Sequence, residues 1–483
     1  MKTGKLCQTS LVVAMFIACV SLANGQTNSN ARASRPNILY IMIDDLGWMD
    51  LACQGSTEYH TPNIDRLARQ GMRFTDAYAA APVCSPTRAA AMTGLAPARL
   101  RITNHIPDRW SFYQDRTLGP GASLNHLNPS YKTVAERLKG AGYATAFIGK
   151  WHLSGTRWCD ENRIYLPENQ GFDINVGGNH QGGPGGEGSF FDPYDLPNLK
   201  GRKPGQYLPD RLAEEAIDFM KKQKAAKKPF FVCLWPYTVH WPVEAPDYLY
   251  RKYATGKPNL HQKFQAMVEG MDIAVGKVLA ELDAMNMSDE TLVVFTSDNG
   301  PYIGDNGEIT NTKPLRGAKG YLYEGGIRVP LIIRWPGRVR PSSICSEPVV
   351  TMDFVPTFLD SVGVNYTGTE FDGESLLPLL TQSGKLARSA IYFHFPHYAF
   401  HKDNHMGSII RSGNYKLIKL YKTGELELYD LAADLGETTN LIKTLPELTS
   451  RLSAQLDRWL KETKAAMPRL IKEIPDNELY GRR

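Results

Sequence analysis

Residues 37–45 read Asn-Ile-Leu-Tyr-Ile-Met-Ile-Asp-Asp, so that seven uncharged residues end at two adjacent aspartates. Such a run predicts a strand buried on both faces of a sheet. Similar apolar runs end close to charged or histidine residues at 143–148, 230–235 and 292–296. Helical spacing of apolar residues occurs between the runs, at 63–71, 133–140 and 262–283. We therefore predict an α/β fold in which a large, mostly parallel sheet is sandwiched by helices.

The pattern changes after about residue 370. Short β-like runs at 390–395, 407–410, 415–420 and 426–429 precede a helical pattern at 448–461. This order predicts a smaller C-terminal antiparallel α+β subdomain over residues 371–483, after a large α/β domain over 36–370. Residues 177–205 are rich in glycine and proline, which predicts a long loop without regular structure.

Residues 1–25 have the features of a secretory signal. Two lysines precede an apolar run at 11–20, and small residues follow up to Gly25. We expect this segment to be removed and the mature protein to be periplasmic or secreted. The alternative is a lipoprotein signal with Cys19 acylated, but Phe16 stands where such signals usually carry leucine.

Composition narrows the class of protein. The chain of 483 residues carries 55 Lys and Arg against 50 Asp and Glu, a net charge of +5 without a basic stripe, which argues against nucleic-acid binding. No run after the signal approaches the roughly 20 apolar residues of a membrane span. Seven cysteines are present, and five follow the signal, widely spaced and odd in number. This count suggests that one serves chemistry and that the fold does not depend on disulfides.

The most specific motif is Cys84-Ser85-Pro86-Thr87-Arg88. Ser85 can cap a helix, Pro86 suits its first position, and Arg88 lies one turn from Cys84 on the same face. Because a helix N-terminus favours anions, Cys84 is expected where a negatively charged group binds. The motif alone is equally compatible with a buried structural cysteine.

Longer stretches of sequence resemble a known family. The motif at 84–88 with Met92-Thr-Gly94, and residues 142–152, resemble the two signatures of the formylglycine-dependent (type I) sulfatases of the alkaline-phosphatase superfamily. Further landmarks of this family occur at 43–47, 61–65, 296–300, 319–330 and 428–431, so the resemblance covers roughly residues 36 to 440. It extends to exported bacterial carbohydrate sulfatases and to proteins like arylsulfatase A. Ala91 departs from the pattern, because the first signature usually carries a larger apolar residue there.

The resemblance implies a nucleophile and a metal. Cys84 is expected to be oxidised to formylglycine (3-oxoalanine) by a separate partner, a formylglycine-generating enzyme or an anaerobic sulfatase-maturating enzyme. One oxygen of the hydrated aldehyde attacks sulfur, and the other hydroxyl later expels sulfate as the aldehyde re-forms. Asp44, Asp45, Asp298 and Asn299 offer only oxygen ligands, which suit calcium, and residue 84 completes the predicted metal set.

The resemblance also implies roles for five further side chains. Arg88 and Lys150 are expected to orient formylglycine, while His152 assists its deprotonation. Lys319 is expected to hold a sulfate oxygen, and His240 to protonate the departing alcohol.

The substrate is predicted less directly. Export, the glycine-rich loop and abundant aromatic residues suit a sulfated sugar, because aromatic faces stack on pyranose rings. The candidate contacts are Trp110, His180, Trp241, Arg316, His394 and His397. The run His394-Phe-Pro-His397-Tyr resembles sulfatases that act on galactose-configured sugars. We therefore predict an exo-acting sulfatase for 4-O- or 6-O-sulfated galactose or N-acetylgalactosamine.

Two alternatives stay open. A phosphodiesterase or phosphonate monoester hydrolase of the same superfamily would use the same sheet, but these relatives usually bring additional histidine ligands. A non-catalytic carbohydrate-binding protein on a sulfatase scaffold would be expected to have lost site residues, and the expected ones are all present.

Overall fold

The strand predicted at residues 37–43 lies inside an eight-stranded sheet. The computed structural model describes Met1 and residues 35–107, 117–185, 190–257, 259–399 and 404–474. The chain from Arg35 onward forms one unit by its contacts. The predicted signal at 1–25, apart from Met1, and Trp110 lie outside the described residues. In the described part of the chain, no helix has both the length and the apolar character needed to cross a membrane.

In chain order the strands are β1 (Asn37–Ile43), β2 (Met72–Phe74), β3 (Ala77–Tyr78), β4 (Leu118–Gly119), β5 (Ala144–Gly149), β6 (Ile174–Val176), β7 (Phe230–Trp235), β8 (Thr291–Ser297), β9 (Leu331–Arg334), β10 (Ser343–Cys345), β11 (Val349–Val350), β12 (Ile391–Phe395), β13 (Gly407–Ser412), β14 (Tyr415–Leu420), β15 (Leu426–Asp430) and β16 (Arg469–Leu470). The α-helices are α1 (Pro62–Gln70), α2 (Cys84–Thr93), α3 (Pro97–Leu100), α4 (Val134–Gly140), α5 (Leu208–Ala226), α6 (Asp247–Tyr253), α7 (Leu260–Ala284), α8 (Glu324–Ile327), α9 (Phe354–Ser361), α10 (Leu377–Leu380) and α11 (Pro446–Glu462).

The large sheet has the order β10-β2-β9-β8-β1-β7-β5-β6. Strand β1 pairs in parallel with β7 on one side and β8 on the other, and β5 continues the parallel arrangement. Strand β9 is antiparallel to both of its neighbours, β8 and β2. The prediction of a large, mostly parallel but mixed sheet is confirmed.

Both faces of the sheet are covered, which explains why the strands read as unbroken apolar runs. Along β1, Leu39 and Ile41 face a core shared with α1, α5 and α7, while Ile38 and Tyr40 face a second core shared with α2, α4 and α9. All four side chains are fully buried. Alternate residues of one strand thus belong to two separate cores, as the twofold period of a strand requires.

The smaller sheet, β12-β13-β14-β15, is antiparallel throughout, as predicted. Ile409 and Ile418 face a core that also contains Tyr78 and Val83, just before α2. On the other face, the neighbouring residues of the same strands pack against α11. The sheet therefore joins the terminal helix to the segment that leads into α2, while the boundary near residue 370 stays a prediction.

Most predicted helices and strands form within one or two residues of the expected positions. The structure also contains helices and strands that the sequence pattern did not predict. The long helix α5 and the short strands β2, β6, β9 and β10 are of this kind. No helix or strand is assigned between β6 and α5 in the described residues of 177–205, as expected for the predicted loop. The five cysteines in the described residues are free thiols.

Candidate active site

The carboxyl ends of the parallel strands bring the predicted polar residues to one edge of the sheet. The backbone N–H of Asp44 donates to Thr238 O at 2.8 Å, and Val239 N–H donates back to Asp44 O at 2.6 Å. Lys150 N–H donates to Trp235 O at 2.7 Å. These bonds hold the segments that follow β1, β5 and β7 side by side, so that side chains more than 100 residues apart in sequence converge.

Three carboxylates and one thiol form the centre of the site. Ligand atoms of Asp44, Asp45, Cys84 and Asp298 lie within 4.8 Å of one another, and all four residues are buried. Asp45 has a φ of 60°, in the left-handed region. This sharp turn directly after β1 allows two consecutive aspartates to face the same small volume, which an extended chain would not permit.

Asn299 completes the oxygen-rich set. Its Nδ2 donates to Asp45 Oδ1 at 2.7 Å and to Gly300 O at 2.8 Å. Its Oδ1 is buried and has no hydrogen-bond partner among the described residues. An unpartnered buried carbonyl oxygen is costly, and a hard cation would satisfy it. The donor set therefore fits an oxygen-coordinated divalent metal.

Three buried cations balance the three carboxylates. Lys150 Nζ donates to both oxygens of Asp44 at 2.8 Å. Arg88 donates to Asp298 Oδ2 from Nε at 2.9 Å and from Nη2 at 2.6 Å. Lys319 Nζ lies 2.7 Å from Asp45 Oδ2. The formal charges of these six side chains cancel, which makes their shared burial tolerable.

The carboxylates nevertheless differ in proton affinity. Burial raises the pKa of Asp44 to about 8, even though Lys150 lowers it. For Asp298, burial acts in the same direction and is the largest single effect, but Arg88, Lys150 and Lys319 together outweigh it and the pKa falls below its usual value. Burial and ion pairing therefore give two carboxylates of one cluster different proton affinities.

Cys84 is the first residue of α2, and its Sγ lies 3.8 Å from Asp44 Oδ1. The predictions that Ser85 caps this helix and that Pro86 occupies its first position are wrong. Val83 is at the N-cap without a side-chain bond, and Ser85 Oγ instead donates to His152 O at 3.0 Å. Burial raises the pKa of Cys84 to about 12, so the unmodified residue is a neutral thiol.

His152 has a defined tautomer. Its Nε2 faces Ile106 O, so this nitrogen carries the proton and donates to the carbonyl. The other nitrogen, Nδ1, is buried and has no hydrogen-bond partner among the described residues. Burial, with a smaller effect of Lys150, holds the pKa of His152 well below its usual value. The ring is thus neutral, with an available lone pair.

His240 presents its opposite nitrogen to the cluster. Nδ1 donates to Trp241 O at 2.6 Å, while Nε2 lies 3.8 Å from Asp45 Oδ2. Burial and the nearby Lys319 lower the pKa of His240 to about 3. Nε2 is therefore the nitrogen that can exchange a proton at the site.

The sequence prediction overlooked two glycines in the long loop. A Cβ on Gly182 would lie 2.7 Å from His152 Cε1, and one on Gly183 would lie 3.2 Å from His240 Nδ1. The loop therefore runs directly against both imidazoles. The cluster of glycines was visible in the sequence, but nothing in it indicated contact with the histidines.

The candidate sugar contacts are dispersed. His180 is half-buried, with Nδ1 lacking a partner among the described residues, and Trp241 is 48% exposed. Arg316 is exposed, stacks on a tyrosine ring and donates to Glu437 O at 3.0 Å. His394 and His397 are both buried. In His394, Nδ1 lies 2.8 Å from a serine hydroxyl and Nε2 lies 3.2 Å from a carbonyl oxygen. In His397, Nε2 lies 2.8 Å from a threonine hydroxyl.

Asp50 is a further buried acid that the sequence prediction overlooked. Its Oδ2 accepts the N–H of Gly47 at 2.8 Å, and its Oδ1 accepts the hydroxyl of Thr310 at 3.0 Å. Thr310 is also bonded to Tyr59 Oη at 2.6 Å. Asp50 thus links the segment after Asp45 to the segment around residue 310 and stabilises the backbone beside the cluster.

Comparison with known proteins identifies the scaffold. Residues 36–364 match the family model described as "Sulfatase". The chain belongs to the formylglycine-type sulfatase family. Residues 318–466 match a second model, described as "N-sulphoglucosamine sulphohydrolase, C-terminal". The protein is accordingly a sulfuric ester hydrolase.

Several relatives align over most of this sulfatase. It is 32% identical to a sulfatase of Formosa agariphila, with 92% of each chain covered. It is 30% identical to human arylsulfatase A, over 93% of this chain and 92% of the relative. The N-acetylgalactosamine-6-sulfatase of Mus musculus is 31% identical, over 74% of this chain and 68% of the relative.

A solved structure described as "Ps i-CgsB in complex with k-i-k-neocarrahexaose" has a TM-score of 0.75 and 28% identity, and covers 88% of this chain and 92% of that one. The predicted α/β sulfatase architecture is therefore confirmed at the level of the fold.

Asp50 should impose a pH dependence on stability. Burial raises its pKa to about 7 from roughly 4 in the unfolded chain, so between these values the folded state holds a proton that the unfolded state releases. The free energy of unfolding should therefore fall as the pH rises, by at most about 1.4 kcal/mol per pH unit. Asp50→Asn should reduce this slope in urea unfolding between pH 4.5 and 7. Asp289→Asn, at an exposed carboxyl, is the control, and an unchanged slope in Asp50→Asn would contradict the assignment.

Proposed function

We propose that this sulfatase hydrolyses sulfate esters on carbohydrates, using a formylglycine nucleophile made from Cys84 together with a calcium ion. The observation that carries the proposal is the buried Cys84 beside three carboxylates and three cations. A thiol with a pKa of about 12 is a poor nucleophile at neutral pH. The surrounding charges are suited to an oxyanion and a cation rather than to a thiolate.

Formylglycine would supply a hydrated aldehyde, in which one oxygen displaces the alcohol from sulfur and the second hydroxyl permits release of sulfate with return of the aldehyde. Arg88 extends from the same helix one turn after residue 84, and Lys150 lies against Asp44. These two cations can orient the nucleophilic oxygens. Lys319 contacts a different carboxylate of the cluster, Asp45, and is suited to bind an oxygen of the substrate's sulfate group.

Calcium would be held by Asp44, Asp45, Asp298 and Asn299, with residue 84 adjacent to it. When bound, a divalent cation supplies fixed positive charge that polarises the sulfate ester. The unpartnered Asn299 Oδ1 and the absence of histidine from the cluster of ligand atoms in the described residues favour a hard, oxygen-seeking ion.

His152 is suited to act as the base on the nucleophile. Its Nε2 is committed to Ile106 O, so the neutral ring offers only Nδ1 as acceptor. A low pKa ensures that this lone pair is free at neutral pH. His152 can therefore take a proton from the nucleophile and later assist the elimination that releases sulfate.

His240 is suited to protonate the departing alcohol through Nε2. Its pKa of about 3 reflects burial and the charge of Lys319 without substrate. A sulfate ester bound against Lys319 would offset that charge and raise the proton affinity of the ring. Asp45 Oδ2, at 3.8 Å, would further stabilise the imidazolium.

For the substrate we favour a galactose-configured sugar sulfated at the 4-O or 6-O position, cleaved in an exo manner. Two relatives support this choice: one is named N-acetylgalactosamine-6-sulfatase, and one was solved with a neocarrahexaose. The exposed Trp241 directly follows His240 and offers a ring face beside the leaving group. His180, with an unpartnered Nδ1 among the described residues, offers a polar contact. We also propose export to the periplasm or exterior and activation by a maturating enzyme.

The phosphonate monoester hydrolase of Agrobacterium radiobacter has a TM-score of 0.65 at 21% identity, which indicates a shared fold only. The oxygen-only ligand set favours sulfate over such substrates. A non-catalytic role is not favoured either, since Cys84 and three cations are buried together with the carboxylates and both histidines are present.

Replacement of Cys84 should separate chemistry from folding. Cys84→Ala should lower sulfate release by a factor of about 10⁴ or more with little change in melting temperature, because it removes the precursor of the nucleophile. Cys53→Ala, at a half-buried thiol outside the cluster, should keep full activity. Mass spectrometry of the peptide containing residue 84 should show the aldehyde in active wild-type preparations. Turnover by the Cys84→Ala protein would disprove the mechanism.

Metal removal should destabilise the protein as well as inactivate it. A chelator should lower the melting temperature by several degrees and calcium should restore it, because binding contributes about 2.7 kcal/mol at a hundredfold excess over Kd. Asn299→Ala should diminish this calcium-dependent increase. Asp272→Asn is the control, because Asp272 is a buried carboxylate that accepts a backbone N–H at the start of α1. This variant should keep the calcium-dependent increase in melting temperature. Equal calcium responses in both variants would argue against the site.

Defined sulfated monosaccharides should reveal the specificity. Release is expected from 4- or 6-sulfated galactose and N-acetylgalactosamine, and not from sulfated glucosamine or uronates, as read by chromatography. Trp241→Ala should raise KM by about 3- to 10-fold with kcat largely kept, because the stacking face is lost. Trp158→Ala is the matched control, because it removes another exposed tryptophan, 40% exposed, and should leave KM unchanged. Activity restricted to glucosamine sulfates, or an unchanged KM in Trp241→Ala, would refute the assignment.

A further inference from the structure

A cleft of about 590 Å³ opens between the edge of the large sheet and the C-terminal antiparallel sheet. We name it the Arg411 cleft. Its walls come from β2 and the residues after it, from the segments around residues 346–348 and 388–391, and from the turns at 413–414 and 431–435, with Trp48 and Arg411 among the lining side chains. Clefts between structural layers that carry a few polar groups are common ligand sites.

Arg411 is the unusual member of the lining. Its side chain is only 4% exposed. Nη2 donates to Asp76 Oδ1 at 3.2 Å, but Nε and Nη1 are buried and have no hydrogen-bond partner within the described ranges. Buried guanidinium donors without acceptors are costly, so the arrangement is incomplete without a further acceptor.

The neighbouring arginines do not share this deficit. Arg388 donates to both oxygens of Asp353 and to Pro348 O. Arg328 donates to Glu324 Oε2 and to Thr75 O, each at 2.6 Å. Their charges are matched by carboxylates inside the fold.

Asp76, the carboxylate that forms an ion pair with Arg411 in the described structure, is already shared. Asp76 Oδ1 accepts from Arg328 and from Arg411, each at 3.2 Å, and its Oδ2 accepts the hydroxyl of Thr75 at 2.7 Å. Arg73 adds another cation to the lining and Glu347 another acid. Because Asp76 Oδ1 is shared by the two guanidinium groups, Nε and Nη1 of Arg411 keep no acceptor within the described ranges.

Trp48 supplies an aromatic surface in the same cleft. It is half-buried, its Nε1 lacks a partner in the part of the chain that the structure describes, and the Arg328 guanidinium lies 5.8 Å from its ring centre. Trp48 follows Asp45 by three residues, so one segment of chain contributes both to the cleft and to the predicted metal ligands. An aromatic face and a guanidinium with unused donors, lining one cleft, form a combination that can recognise anionic sugars.

We infer that the Arg411 cleft is a second oxyanion site, in which Nε and Nη1 of Arg411 donate to a sulfate or carboxylate group and Trp48 contacts the group's carrier. The ligand is either such a group on a distal sugar of a substrate chain or free sulfate. Binding of a group on a distal sugar rests on the proposed carbohydrate function, whereas binding of an oxyanion at Arg411 does not.

Selenate, a sulfate analogue with a strong anomalous signal, can locate the site. Crystals of the mature protein soaked in sodium selenate should show a peak within hydrogen-bond distance of Arg411. Arg411→Gln should abolish this peak, and Arg411→Lys, which keeps the charge but loses the two-nitrogen fork, should weaken it. Arg334→Gln is the matched control, because Arg334 is also buried with unpartnered Nε and Nη2 in the described structure but does not line the cleft. A peak only at the predicted nucleophile, or an unchanged peak in Arg411→Gln, would overturn the inference.

Calorimetry on Cys84→Ala protein can then identify the source. If the group belongs to a distal sugar, Arg411→Gln should weaken binding of a 4-O-sulfated carrageenan tetrasaccharide about tenfold and that of galactose 4-sulfate less than twofold. If free sulfate is the ligand, the selenate peak should depend on Arg411 while both saccharide affinities stay unchanged. Failure of the proposed function would look different, because the active enzyme would release no sulfate from sugars while the selenate peak persisted.

Discussion

At the carboxyl edge of the large sheet, three carboxylates and three cations are confined to a volume from which water is largely excluded. Neither set could be buried alone, since removing one member of a buried pair typically costs about 3–5 kcal/mol. The pairing of Asp44 with Lys150 and of Asp298 with Arg88 therefore connects β1, β5, β8 and α2 electrostatically as well as sterically. The arrangement of the strands and the chemistry of the site satisfy the same requirement of charge balance.

The scaffold also controls the less regular parts of the site. Lys319 lies in neither a strand nor a helix, yet its N–H donates to Pro301 O, and the following Gly320 donates to Pro82 O. The segment around Lys319 is thus attached both to the loop after β8 and to the approach to α2. Its cation is fixed without help from a regular element, which is the kind of preorganisation that electrostatic stabilisation of a developing charge requires.

The sequence allowed prediction of the elements whose local pattern and tertiary role agree. Strand β1 is apolar because both of its faces are buried, so its bounds were predicted to the residue. Ser85 shows the opposite case: its local preference for capping a helix is overridden by bonds to the backbone of His152 and Ile106, which approach only in the folded chain.

The tautomers of the histidines and the unpartnered Oδ1 of Asn299 likewise depend on contacts distant in sequence. A motif can specify which residue types meet. It does not specify which nitrogen of an imidazole is occupied, because that depends on a carbonyl supplied by another segment. The contact of the glycine-rich loop with both imidazoles was unpredictable for the same reason, since glycine spacing indicates freedom of the backbone but not the surface against which it packs.

The position of Cys84 limits when this residue can be reached by another enzyme. This residue begins a helix whose ten residues are all buried. An enzyme that must enclose residue 84 and its neighbours in its own active site has no access to them once α2 has packed. The proposed conversion of Cys84 and the packing of α2 would therefore be competing events, and the first to occur would be decisive for each chain. A culture that overproduces the chain relative to its proposed activating partner would accumulate well-folded molecules that stay inactive. The specific activity of a preparation would then depend on conditions in the cell at the moment of synthesis.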